Sequence, residues 1–389
     1  MRKLILKLHL VLGLGTGIIV FILAVTGCIY AFEREIQDAV QEYRYVGPQE
    51  TAMLSPSQIQ VIAQRELPGK VMHSVLYARD KSRAAVVTFY HADPEYYYLV
   101  YINQYTGAVQ QVKNMDEDFF RFILNGHFYL WLPPEIGQPV VASSTLLFAA
   151  MLITGIILWF PRKKANVRQR FSIRWSAKWR RKNFDLHSVL GFYSMFIALI
   201  FVITGLVFGF EWFAKSYYYS LSGGKELVLY TEAVSDTTAA PAPLSMPLVD
   251  YLWEKTKREN PSAATIEVHY PETNTSAVHV TTNSDTKTYW QADSRYYDQY
   301  TLKEIDVKHQ YGRFNADMSV ADKMMRMNYD IHTGAIFGLT GKTIAFLASL
   351  VIATLPITGF LLWYGRRFKK TKAAENTTAA IKKEKELVA

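Results

Sequence analysis

Four histidines lie inside apolar runs or just ahead of them: His9, His127, His187 and His332. Imidazole is a common ligand of transition metals and an axial ligand of haem iron. Ionisable side chains at membrane depth are rare and usually functional. In His9-Leu-Val-Leu-Gly13 and His187-Ser-Val-Leu-Gly191 the glycine follows four residues after the histidine, on the same face of a helix. Such a glycine leaves a flat recess that suits a porphyrin ring. Thr26-Gly27 and Thr204-Gly205 come 17 residues after His9 and His187, about 26 Å along a helix. Thr154-Gly155 and Thr358-Gly359 come 27 and 26 residues after His127 and His332. These spacings put Thr26-Gly27 and Thr204-Gly205 near the level of His127 and His332. They put the other two pairs near the level of His9 and His187. Each candidate haem would then meet small residues on the helices that do not ligate it.

Other readings of the same residues stay open. A single His near a helix end is often an interfacial, hydrogen-bonded residue, and Gly and Thr in membrane helices often only pack. A bare Cu, Zn or Fe site is the chemical rival, although no Cys, Met or carboxylate pattern completes one. Glu33 and Glu211 recur in the repeat, but at the far end from His9 and His187.

These residues need helices to position them. Four stretches are long and apolar enough to span a bilayer, about 8–32, 139–160, 187–211 and 342–364. Half of the 389 residues are apolar and 20% are charged, so a membrane part and a water-exposed part coexist. A net charge of +9 would suit nucleic acid, but the basic residues crowd at the edges of the apolar runs, so a lipid bilayer is the expected partner. Residues 161–186 hold ten Lys or Arg against Asp185 alone: Arg162, Lys163, Lys164, Arg168, Arg170, Arg174, Lys178, Arg180, Arg181 and Lys182. Arg2, Lys3 and Lys7 precede the first span, and Arg366, Arg367, Lys369 and Lys370 follow the fourth. The positive-inside rule then places both termini and the 161–186 loop in the cytoplasm, with 33–138 and 212–341 outside. Cys28 is the only cysteine, which excludes an intrachain disulfide and a covalent Cys-x-x-Cys-His haem, so any haem is held non-covalently.

The chain also repeats itself. Residues 8–33 and 186–211 align without gaps at an offset of 178, and Ile153-Thr-Gly-Ile-Ile-Leu-Trp159 matches Ile357-Thr-Gly-Phe-Leu-Leu-Trp363. Val25-Thr-Gly-Cys28 resembles a lipoprotein cleavage box, but Thr-Gly recurs in all four spans, so an uncut first helix that keeps His9 is expected. Asn103-Gln-Tyr-Thr106 echoes Asp298-Gln-Tyr-Thr301. Each external segment opens with a helix candidate, one at Ser55-Pro56 and the other at 246–259. Alternating strands follow: Ala84–Tyr90, Tyr96–Ile102, Thr265–His269 and Ala277–Thr281. The expected fold is therefore a four-helix membrane protein in two pseudo-symmetric halves, each with an external α+β domain (33–138 and 212–341). Residues 222–245 read as a flexible linker, and the cytoplasmic tail, 365–389, as disordered beyond about 370. His73, His91, His269, His279 and His309 read as ordinary surface or sheet residues. Tyr96-Tyr-Tyr98 and Tyr217-Tyr-Tyr219 read as strand packing and an interfacial belt, with binding of an aromatic or metal-chelate ligand as the lesser alternative. No catalytic triad, P-loop or dinucleotide fingerprint is present.

The elements "TGIILWFPRK", "DLHSVLGFY" and "ITGFLLWYGRR", set around two external segments, resemble the PepSY-associated transmembrane family over about residues 1–370. That family includes iron-regulated inner-membrane proteins and ferric-siderophore reductases. The resemblance implies PepSY-like external domains and a di-haem b cytochrome of the cytoplasmic (inner) membrane, with His9 and His187 on the inner haem and His127 and His332 on the outer. Gly13, Gly191, Thr26, Gly27, Thr204 and Gly205 would line the haems. By their location alone, Arg170, Arg174 or Arg181 would pair with propionates of the inner haem. Electrons would pass to a ferric siderophore or another ferric chelate outside, releasing Fe(II). Some relatives carry a flavoprotein module, whereas 389 residues here hold none, so a quinol or a separate flavin or NAD(P)H reductase would be the donor. The alternative is a non-enzymatic sensor whose external domains bind a peptide or envelope partner.

Overall fold

The computed structural model describes residues 1–161, 167–314 and 318–388; Arg162, Lys163 and Lys164 of the basic loop lie outside them. In chain order the elements are α1 (Arg2–Tyr30), α2 (Glu33–Val40), α3 (Pro56–Glu66), β1 (Met72–Ala78), β2 (Ala85–Ala92), β3 (Glu95–Ile102), β4 (Val109–Asn114), α4 (Phe119–Tyr129), α5 (Pro134–Trp159) and α6 (Trp179–Asp185). A single π-helical turn, Leu186–Leu190, then leads into α7 (Gly191–Gly209). There follow α8 (Glu211–Ser222), α9 (Leu248–Glu259), β5 (Thr265–His269), β6 (Val278–Asn283), β7 (Asp293–Tyr297), β8 (Glu304–Ile305), α10 (Val320–His332) and α11 (Gly338–Val388). The chain divides into two compact units. One is built from 1–31, 123–210 and 342–389, the other from 32–122 and 211–341.

The first unit carries the long apolar helices. Arg2–Tyr30, Pro134–Trp159, Trp179–Gly209 and Ala335–Phe368 are each long and apolar enough to cross a membrane. The third begins at Trp179 rather than 187, because α6 runs through the π turn into α7. Arg2 donates to the carbonyls of Leu158 and Phe160, and so caps the end of α5 with a cation. α11 runs to Val388, into the tail expected from its sequence to be disordered beyond about 370. Cys28 is buried near the end of an unbroken α1, with its thiol on the Phe346 carbonyl.

The second unit is built on one antiparallel eight-stranded sheet, ordered β4-β3-β2-β1-β5-β6-β7-β8. The two external segments, expected to form separate α+β domains, each contribute four consecutive strands, and these join where β1 pairs with β5 (Val75 opposite Val268). Alternation sends Val75, Val87, Phe89, Val100, Val268, Val278 and Val280 to one face, which α3 and α9 cover with Ile59, Ala63, Leu252 and Trp253. At the expected cap, Ser55 and Gln58 form a capping box. The buried Asp250 of α9 accepts from Ser55 Oγ, Ser57 N and Ser57 Oγ, and so ties α9 to the start of α3.

The echoed tetrapeptides make the same turn. Asn103 Oδ1 accepts from the amides of Tyr105 and Thr106, and Asp298 Oδ1 from those of Tyr300 and Thr301. The 222–245 segment, expected to be flexible, is fastened to this region of the sheet unit. The Asp236 amide donates to Asp298 Oδ2, the Ser235 amide to the Thr275 carbonyl, and the Ala242 amide to the Tyr300 carbonyl. Its small residues are suited to lying flat along neighbouring backbone.

Candidate metal centre

His9, His187 and His127 rest against Thr-Gly pairs on another helix of the membrane unit. α1 brings His9 to α5, with Nδ1 2.9 Å from Thr154 Oγ1. The π turn brings His187 to α11, with Nδ1 3.0 Å from Thr358 Oγ1. α4 brings His127 to α1, with Nδ1 3.0 Å from Thr26 Oγ1. The level matching expected from the spacing is therefore found for these three pairs.

The threonines also fix where the imidazole proton sits. Thr154 Oγ1 lies 3.0 Å from the carbonyls of Ala150 and Met151; Thr358 Oγ1 lies 2.9 Å from Thr354 O, and Thr26 Oγ1 2.7 Å from Ile22 O. A carbonyl only accepts, so each hydroxyl spends its proton on its own helix and its oxygen accepts from imidazole Nδ1–H. This network assigns the neutral tautomer with a lone pair on Nε2, the form in which imidazole binds a metal. The glycine of each pair admits the ring. A methyl at Gly155 would stand 3.4 Å from His9 Cε1, one at Gly359 3.2 Å from His187 Cε1, and one at Gly27 3.4 Å from His127 Cε1.

His9 and His187 meet each other. Their ring centroids are 6.4 Å apart and their planes cross at 79°. Rings this close could both ligate one metal ion, to which imidazole nitrogens bond at about 2 Å. The π turn around His187 is the type of local helix defect that is frequent at functional sites. One turn from His9 an open apolar groove of about 340 Å³ runs between α1 and α11, lined by Gly13, Gly17, Phe21, Pro356, Ile357 and Phe360. Gly13 and Gly191 also face side chains: a methyl on them would meet Met151 Sδ at 3.6 Å and Leu355 Cδ2 at 3.7 Å.

The other sequence candidates are placed as follows. Thr204 is buried in α7 beside Gly205, its hydroxyl 2.7 Å from the Ile200 carbonyl. His332 is half-buried and closes α10 in the sheet unit. Of the arginines expected near propionates, Arg181 pairs with the buried Asp185 at 2.9 Å, whose Oδ2 also accepts from the Arg174 amide. The Arg170 guanidinium lies over the Phe184 ring. Asn183 Nδ2 donates to the Thr358 carbonyl, so the short α6 braces the helix that holds His187.

Sequence reasoning missed a second cluster. His73, His269 and His279, set aside as ordinary residues, fall on the adjacent strands β1, β5 and β6. Nothing in their spacing could reveal this, because the β1–β5 pairing joins strands nearly 200 residues apart.

The model of the PepSY-associated TM region matches residues 6–366 of the chain. No curated protein matches it.

Proposed function

The chain belongs to the PepSY-associated TM family, and from that premise we propose that it is a di-haem b-type cytochrome of the bacterial cytoplasmic membrane that reduces a ferric chelate on the outer side. The observation that carries the reading is the His9–His187 pair: ring centroids 6.4 Å apart, with each Nδ1 at hydrogen-bond distance from a threonine. The donor set suits haem iron better than a bare ion. It offers two imidazoles and no third ligand, and among the described residues no three His, Cys, Asp or Glu side chains gather to hold a metal. The apolar groove between α1 and α11 suits a porphyrin edge.

Haem held there would supply a one-electron Fe(III)/Fe(II) couple whose potential follows its axial ligands and their hydrogen bonds. The chain's own part is to fix those ligands. Thr154 and Thr358 hold each ring by its Nδ1–H, which sets tautomer and rotamer and makes Nε2 more basic. Gly155 and Gly359 keep the ring edges close to the helix backbone. The second haem, expected on His127 and His332, is supported at His127, which has the same Thr-Gly seat. Its acceptor would be a ferric siderophore or similar chelate, and its donor a quinol or a cytoplasmic flavin or NAD(P)H reductase. The basic clusters favour cytoplasmic termini, which puts His9 and His187 on the donor side.

Absorbance spectra of purified protein, oxidised and then dithionite-reduced, test the reading. A Soret band and a reduced α-band are expected, and His9→Ala or His332→Ala should each remove about half of the haem. Absence of both bands in protein from haem-replete cells would overturn the cytochrome and favour a non-enzymatic sensor. If haem is found, ferric-chelate reduction by membranes with and without the protein tests the acceptor.

A further inference from the structure

The sheet unit carries a row of aromatic nitrogen and oxygen groups that the cytochrome reading leaves unused. β1, β5, β6 and β7 are neighbours, and His73, His269, His279 and Tyr296 follow one another across them. His73 Nε2 lies 3.3 Å from His269 Nδ1. The His269 and His279 rings stack at 4.2 Å, and His279 stacks on Tyr296 at 4.3 Å. At the open end, His73 is 38% exposed and its Nδ1 lies 3.2 Å from the carboxylate of Glu272.

We propose that His73 Nε2 and His269 Nδ1 form a binding site for a divalent first-row transition-metal ion, open to water or a chelator at its remaining positions. The geometry suits such an ion. Metal–imidazole bonds of about 2.0–2.1 Å at tetrahedral to octahedral angles set two ligand nitrogens about 3.0–3.4 Å apart, and these stand at 3.3 Å. Glu272 accepts the Nδ1 proton of His73, the carboxylate–histidine arrangement that turns the lone pair of Nε2 toward a metal. His269 is stacked on His279, so its ring has little freedom to swing away.

The proton count closes. Without metal, His269 Nδ1–H donates to His73 Nε2. With metal, that proton is carried on His269 Nε2, which faces Glu267 Oε2 at 3.9 Å, so binding releases no net proton. Ser74 Oγ donates to the other Glu267 oxygen at 2.6 Å and holds that carboxylate in place. Among the described residues no third ligand converges on the pair. The site is therefore exchangeable, as an entry or exit station for an ion such as Zn(II), Cu(II) or Fe(II) would be. It does not depend on the haem reading.

The test is zinc titration of the untagged full-length protein by calorimetry. One zinc per chain is expected at this site. His73→Gln and His269→Gln should each weaken it at least about tenfold, as should Glu272→Gln by removing the outer partner. His91→Gln, a histidine outside the row, should leave it unchanged. Equal binding by all four variants, or loss only on replacing His9 or His187, would overturn the site. Unaltered protein loaded with one Cu(II) gives an answer that needs no variant. Electron paramagnetic resonance should show nitrogen couplings from two imidazoles, and a spectrum without imidazole coupling would overturn it. A protein that has a Soret band but no such zinc or copper site keeps the cytochrome reading and loses this one.

Discussion

At the scale of residues, the Thr-Gly pair is a hydrogen-bond acceptor and a clearance combined. Thr154→Val keeps the shape of the side chain and removes the acceptor that His9 Nδ1–H meets at 2.9 Å. Loss of such an outer-shell partner typically costs 10–100-fold in affinity for the ligated centre. Haem titration of Thr154→Val and Thr358→Val should therefore show retention lowered by about that factor, while Thr145→Val, which holds no histidine, leaves it unchanged. Glycine clearance gives a graded version of the same experiment. A methyl at Gly359 comes to 3.2 Å of His187, against 3.4 Å for Gly155 and His9, so Gly359→Ala should disturb the visible spectrum more than Gly155→Ala. The 17-residue spacing made the level of these pairs legible, because helical rise is fixed. The role of the hydroxyl was not legible, since it depends on which way each helix is rotated.

At the scale of elements, the sheet unit owes its unity to contacts between segments far apart in the chain. Asp250 gathers three hydrogen bonds from Ser55 and Ser57 while buried. Asp250→Ala would leave those donors without their acceptor, and hydrogen bonds to a charged group contribute about 1.5–3 kcal/mol each. The expected loss is about 3 kcal/mol, seen as a lower melting temperature by tryptophan fluorescence, with Trp253 of the same helix in the core as reporter. Asp250→Asn, which keeps one acceptor oxygen, should lose less. The matching turns allow a stabilising change. Gly107 and Leu302 occupy equivalent places after the echoed tetrapeptides, with φ of +77° and +61°. Leu302→Gly relieves a left-handed conformation that costs an ordinary residue about 1–2 kcal/mol, partly offset by glycine's greater freedom when unfolded, so a small rise in melting temperature is expected. Strands and caps were legible in the sequence because alternation and the Ser-Pro start are local signals. The β1–β5 seam and the fastening of 222–245 were not, since both depend on tertiary pairing.

At the scale of the whole molecule, acid should destabilise the sheet unit, and the sign follows from its histidines. His279 is pushed down to about 2, first by burial and then by its neighbours His269, His73 and His309. Burial also lowers His269, against a partial opposing pull from Glu267, and lowers His309. In the unfolded chain each titrates near 6.5. Above that value neither state binds the proton and the contribution to stability is complete. As pH falls below 6.5 the unfolded state takes up protons that the folded sheet excludes, so stability is lost at up to about 1.4 kcal/mol per pH unit for each such histidine. Asp330, whose carboxyl burial raises above its ordinary 3.8, works in the opposite direction. Between pH 7 and pH 5 the fluorescence melting temperature of the full-length protein should therefore fall, and His279→Phe, which keeps a flat ring between His269 and Tyr296, should flatten that fall. A melting temperature that is level over this range, or a slope that His279→Phe does not change, would show that these imidazoles are reached by water and protonated in the folded state.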